Sequence, residues 1–145
     1  MHRKENTRTC TVHPLRDRAD IEIRWWPPAP DLDAGRDVRL GLGGPVLGPA
    51  DAGRRLVLLD ATWRHVGKME ADCAELPVRS LPAGLVTAYP RVSRLFQDPD
   101  GGLATVEALY VAVRLLQRDS RDLLSRYRWR DAFLAANATV LSEIS

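Results

Sequence analysis

Leu56-Val57-Leu58-Leu59 is a short, wholly apolar run that stops abruptly on Asp60-Ala61-Thr62-Trp63. A run this short, with no polar alternation, suits a strand buried on both faces of a parallel sheet. Ligands of open α/β sheets bind beyond the carboxyl ends of such strands. An acid, a hydroxyl and the largest aromatic side chain at that edge form a candidate ligand cradle. A second reading stands beside it: Asp60 caps the next helix and Trp63 belongs to the core.

The flanking pattern is α/β. A helix is predicted over residues 62–74, with Trp63, Val66 and Glu70 at helical spacing and Leu76-Pro77 ending it. Residues 78–81 and 85–88 read as short strands, and Asp98-Pro99-Asp100-Gly101-Gly102 as a turn. Thr105 is a suitable N-cap for a largely apolar, buried helix over 106–117. A shorter helix through Tyr127 follows, capped by Asp119 or Ser120. In the final helix Phe133, Leu134, Asn137, Val140 and Leu141 share a face. Before residue 54, residues 21–26 alternate like a strand stopped by Pro27-Pro28, residues 38–42 form another, and a loop rich in glycine and proline leads to Asp51. No G-x-G-x-x-G fingerprint follows a strand, which weakens a dinucleotide-binding reading.

Composition narrows the function classes. At 145 residues the chain is one unit or two small lobes. No apolar run approaches the roughly 18 residues that span a bilayer. The start, Met1-His2-Arg3-Lys4-Glu5-Asn6, has no apolar core of a secretory signal, so no membrane and a cytoplasmic location are expected. Two distant cysteines without C-x-x-C spacing, and three unclustered histidines, point to reduced thiols and no metal. A net charge of +2 does not by itself indicate a nucleic-acid partner. Of 21 basic residues, however, only Lys4 and Lys68 are lysines. Arginine forks bind phosphates and stack on bases, although GC-rich codon usage explains the bias equally well. Arg121, Arg126, Arg128 and Arg130 crowd around Tyr127 and Trp129.

Asp60-x-Thr62-Trp63 resembles the signature of the DTW-domain superfamily. The similarity continues at Leu81-Pro82, at Thr87-Ala88-Tyr89-Pro90, and at Leu103-Ala104-Thr105-Val106-Glu107-Ala108-Leu109. Trp129-Arg130-Asp131-Ala132-Phe133-Leu134-Ala135-Ala136-Asn137 resembles the carboxyl-terminal tail of the branch that modifies small-subunit ribosomal RNA. Glu5-Asn6-Thr7-Arg8-Thr9-Cys10-Thr11 is similar to its amino-terminal segment. These blocks keep their order over nearly the whole chain.

The resemblance implies an α/β, SPOUT-like knotted sheet-and-helix fold. A small amino-terminal α+β lobe (1–53) would precede an S-adenosylmethionine-binding region with a helical carboxyl-terminal part (54–145). It implies an S-adenosylmethionine-dependent aminocarboxypropyltransferase, monomeric and metal-free. The acceptor would be N3 of a uridine or pseudouridine in small-subunit ribosomal RNA, during ribosome biogenesis. Trp63 would wall off the methyl group and face the sulfonium, with Val66 beside it. Asp60 would pair with the ammonium of the amino-acid tail, or act as general base. Thr105, Thr11 and Glu107 would lie at the same tail, and Leu59, Leu85 and Leu103 would line the adenine slot. Tyr89, Arg91 and Arg94 would hold RNA. The chain departs from the family at Tyr89, along residues 91–102, at Ala104 and at Arg130. A methyltransferase on the same fold and a non-catalytic RNA-binding assembly factor are the alternatives.

Overall fold

Three short parallel strands form the sheet: β1 (Asp37–Leu40), β2 (Arg55–Val57) and β3 (Val78–Arg79), in the order β2-β1-β3. The computed structural model describes residues 1–3, 10–61, 63–90 and 102–144, without the side chains of residues 63 and 64. The expected turn at 98–102 therefore lies almost wholly outside the described residues. Val38 pairs with Leu56, and Arg39 with both Val57 and Val78. The central strand thus comes from the segment before residue 54, so the expected boundary falls between two hydrogen-bonded neighbours.

Helix α1 (Trp63–Asp72) joins β2 to β3, and α2 (Thr105–Leu115) runs through the core. Val106, Glu107, Val111 and Ala112 of α2 are all buried. One side of α2 packs with Val12, Leu15, Leu85, Phe133 and Leu141. The other brings Ala112 and Leu116 against Val38 and Leu47 of the sheet region. Just beyond α2 and its cap Leu116, Gln117 takes a φ of 57°. There Gln117 N–H donates to the Arg114 carbonyl and Arg118 N–H to that of Val113, both at 3.0 Å, which is a Schellman closure.

Several predicted elements take another form. Residues 85–88 are not a strand, because side chains supply their hydrogen bonds: Asn137 pairs with both backbone groups of Val86, and Glu107 accepts from Ala88 N–H. Among the described residues, 21–26 make one isolated bridge, between Trp26 and His2, before the prolines remove further donors. Residues 120–127 form successive three-residue turns instead of a helix, interrupted by Asp122 at φ 64°. The predicted last helix is two, α3 (Arg130–Ala136) and α4 (Ala138–Ser142), meeting at Asn137. Its expected inner face survives: Phe133, Asn137 and Leu141 are buried.

Opposite the carboxyl ends of the strands, Asp37 is fully buried at the start of β1. Its carboxylate accepts from Arg55 Nε at 2.7 Å, from Arg36 Nη2 at 3.1 Å and from Asp33 N–H at 2.8 Å. Burial pushes this carboxyl up, yet the two guanidiniums and the amide together hold it well below the usual aspartate range. The beginnings of β1 and β2 are thereby tied to the 31–36 turn.

Candidate functional site

A cavity of about 370 Å³ opens where all three strands end. Its walls are the strand ends and the segments leaving them: residues 39–43 at and beyond the end of β1, Leu58, Leu59 and Ala61 after β2, and residues 80–85 after β3. Gly102, Leu103, Thr105 and Ala108 close it from the start of α2, and Val66 and Glu70 from α1. The volume lies in the range of small-molecule sites, which are mostly apolar with a few placed polar groups. Gly44, at φ 79°, makes the turn out of β1 possible: a Cβ there would sit 2.6 Å from the Val78 carbonyl oxygen. On the sheet side of the cavity, Arg39 Nη1 reaches Glu70 Oε1 only at 3.4 Å, and Arg39 Nε is a buried donor without an acceptor among the described residues.

A wider groove of about 730 Å³ lies behind the same wall, between residues 19–32 and β2. Leu58, Leu59 and Thr105 line both spaces. Asp60 lines the wider one. The smaller cavity has the better claim as the ligand slot, since the strand ends build it.

The acid of the cradle is held by two donors from distant parts of the chain. The Thr105 hydroxyl donates to Asp60 Oδ1 at 2.7 Å, and the Cys10 thiol donates to Asp60 Oδ2 at 3.1 Å. Burial, then the Asp60 charge and its hydrogen bond, push the Cys10 thiol up to about 12. Cys10 is therefore a protonated donor and not a nucleophile at neutral pH. Thr105 is the first residue of α2 and does not cap it as predicted. The cap comes from Thr11, whose hydroxyl accepts from Val106 N–H at 3.1 Å, and from Glu107 Oε2, which accepts from Ala104 N–H at 2.9 Å. The hydroxyl of Thr105 is thus released for Asp60.

Glu107 is placed differently from the other expected tail residues. It is fully buried and lines neither space. Four donors fill its carboxylate: Thr87 hydroxyl (2.7 Å), Ala88 N–H (2.9 Å), Ala104 N–H (2.9 Å) and Tyr127 hydroxyl (2.7 Å). The geometry makes it a joint between the 87–89 segment, the start of α2 and the 127–129 turn.

The structure thus brings Leu59, Leu85, Leu103 and Thr105 together around one cavity, with Asp60 and Thr11 directly behind them. Trp63 opens α1; its side chain, with Thr62, Arg91 and Arg94, lies outside the described residues. Tyr89 sits away from the cavity, its ring edge-on to Trp129 at 5.1 Å. Sequence reasoning passed over Cys10 as a contact of Asp60, although Cys10 sits beside Thr11 in the amino-terminal block. It also passed over Arg39 and Glu70, which carry no local motif. Among the described residues no cluster of metal-ligating side chains occurs and no helix is long and apolar enough to cross a membrane.

No family model matches the chain, and no curated protein matches it. Among solved structures it is similar to the SAM-dependent rRNA:acp-transferase Tsr3 from Vulcanisaeta distributa. The TM-score is 0.73 over 98% of this chain and 78% of that one, at 21% sequence identity. At that identity the likeness is one of fold: a small α/β protein of the Tsr3 shape. The DTW-domain resemblance rests on its motifs.

Proposed function

We propose that this chain is an S-adenosylmethionine-dependent aminocarboxypropyltransferase acting on a uridine or pseudouridine N3 of small-subunit ribosomal RNA, on a SPOUT-like knotted fold. One observation carries the reading: the strand-end cavity, with Thr105 at its wall and Asp60 bonded to Thr105 from behind, in a chain that shares its fold with an rRNA:acp-transferase.

The residues present fit the co-substrate. Leu59, Leu85 and Leu103 give an apolar slot for a purine, in a cavity of suitable volume. Among the described residues Asp60 has one donor on each oxygen, which leaves acceptor capacity for an ammonium group. The first-turn amides of α2, which have no partner within the helix, suit a carboxylate at a helix start. Thr11 fixes that helix start, and Glu107 sets its position from below. S-adenosylmethionine supplies a sulfonium whose γ-carbon is open to attack once its methyl group is shielded, the role assigned to Trp63. Asp60, pinned between two donors, serves binding and alignment of the tail more than proton removal. Tyr89, Arg91 and Arg94 are assigned to the RNA side.

Calorimetric titration of the purified protein with S-adenosylmethionine tests the first half, with Trp63→Ala as comparison. Saturable binding that the variant loses is expected; a folded wild-type chain that binds nothing, even with RNA present, leaves a non-catalytic RNA-binding factor as the better reading. Mass spectrometry of reacted RNA tests the second half. A gain of one aminocarboxypropyl group is expected, and a gain of one methyl group would make the chain a methyltransferase instead.

A further inference from the structure

Residues 126–130 read Arg-Tyr-Arg-Trp-Arg, and the structure sorts them by burial. Tyr127 is buried and Trp129 is partly covered, whereas Arg126, Arg128 and Arg130 are all exposed. The aromatic side is anchored firmly. Tyr127 hydroxyl donates to Glu107, and the Trp129 ring meets the rings of Tyr89 at 5.1 Å and Tyr127 at 5.9 Å. The backbone is pinned too: Tyr127 N–H donates to Leu124 O, Arg130 N–H to Tyr127 O, and Trp129 O accepts from Phe133 N–H.

Among the described residues no acid neutralises the charge on these exposed arginines. Elsewhere many arginines find acids, as Arg18 with Asp20, Arg36 and Arg55 with Asp37, Arg79 with Asp51 and Arg121 with Asp119, and others, Arg16, Arg54, Arg114 and Arg118, are tied to backbone carbonyls. Among the described residues Arg126, Arg128 and Arg130 form no ion pair, although Asp122 and Asp131 are close in sequence. Arg126 reaches only the Pro14 carbonyl, at 3.5 Å. Arg128 lies over the Trp129 ring at 5.4 Å. Three unpaired guanidiniums on a rigid turn, one of them set on an indole, match the polyanionic backbone and bases of a single-stranded nucleic acid.

We infer that this arginine strip, with Trp129 and Tyr89 beneath it, is a docking surface for the RNA substrate outside the cavity. The inference rests on the RNA-modifying reading and extends it to a second surface. Glu107 links the strip to the cavity rim, since the same carboxylate holds Tyr127, the 87–88 segment and the start of α2. RNA lying on the strip is thereby held in a fixed position relative to Thr105 and Asp60.

The test is fluorescence anisotropy of a labelled small-subunit ribosomal RNA hairpin against wild-type protein and the triple variant Arg126→Gln, Arg128→Gln, Arg130→Gln, across a salt series. Loss of three phosphate contacts should weaken binding on the order of 100-fold near 0.1 M salt and flatten the log-log salt slope by about 2. Arg24→Gln, which removes an exposed arginine already paired with Glu22, should change little. S-adenosylmethionine affinity of the triple variant should match wild type, which also shows that it folds. Unchanged RNA affinity and slope in the triple variant overturn the inference, as does a wild-type chain that binds no RNA. RNA binding lost with the strip, in a protein that never binds S-adenosylmethionine, would uphold the surface and sink the transferase reading.

Discussion

The Thr105 hydroxyl donates to Asp60 Oδ1 at 2.7 Å across 45 residues of chain, tying the end of β2 to the first turn of α2. This bond forms because Thr105 is relieved of capping duty by Thr11 and Glu107. It fixes one oxygen of the acid that the sequence marks most strongly.

Thr105→Val should remove that bond and leave the Asp60 carboxylate with Cys10 as its one donor among the described residues. Hydrogen bonds to charged groups contribute about 1.5–3 kcal/mol, so the loss in S-adenosylmethionine affinity should be about tenfold or more. Thr105→Ser should retain most of it. Titration calorimetry of the two variants checks this, and equal affinity in both would show that the hydroxyl does not matter.

Cys10 should be slow to alkylate. With its thiol pushed up to about 12, almost none of it is thiolate at pH 8. Asp60→Asn removes the carboxylate charge and its hydrogen bond but not the burial, which is the larger cause, so the rate should rise only part of the way to that of an open thiol. Peptide mapping after iodoacetamide separates Cys10 from Cys73, whose thiol is raised chiefly by burial.

Asn137→Leu should unfold the wall of the cavity. Val86 N–H donates to Asn137 Oδ1 at 2.7 Å, and Asn137 Nδ2 donates to the carbonyls of Val86 and Phe133, each at 2.8 Å. Leucine leaves both backbone groups of Val86 without these partners, while the Phe133 carbonyl keeps the residue-137 N–H, a loss of about 2–3 kcal/mol. Urea unfolding reads the stability, and hydrogen exchange at Val86 reads the local opening.

Acid should loosen the start of the sheet. Asp37 titrates lower in the folded chain than in the unfolded one, so its stabilising effect is complete above about pH 4 and fades as pH falls toward its folded value. Asp37→Asn should lower stability at pH 7 and flatten its dependence below pH 4. An unchanged acid limb in thermal melts would assign the sensitivity to other carboxylates.

The sequence revealed elements whose signal is local. The apolar run before Asp60, the glycine turn after β1 and the apolar α2 all occur near their expected positions. Leu59, Leu85, Leu103 and Thr105, named from motif likeness, meet at one cavity. What stayed hidden depends on partners far away in the chain. Residues 85–88 have strand composition, yet Asn137 and Glu107 take the hydrogen bonds a neighbouring strand would have made. Glu107 reads as an ordinary first-turn acid because its donors Thr87, Ala88 and Tyr127 are distant in sequence. Arg39 and Glu70 line the cavity through tertiary placement alone.

The four-donor carboxylate of Glu107 also sets a rule for rebuilding this molecule. Segments 84–90, 102–108 and 126–130 cannot be exchanged one at a time between related chains, because each supplies a partner that the other two require. A transplanted rim that omits Tyr127 leaves a buried oxygen short of a donor, and one that omits Thr87 frees the cavity wall. The three segments form one heritable cassette, and specificity would have to be altered in the side chains facing out of it.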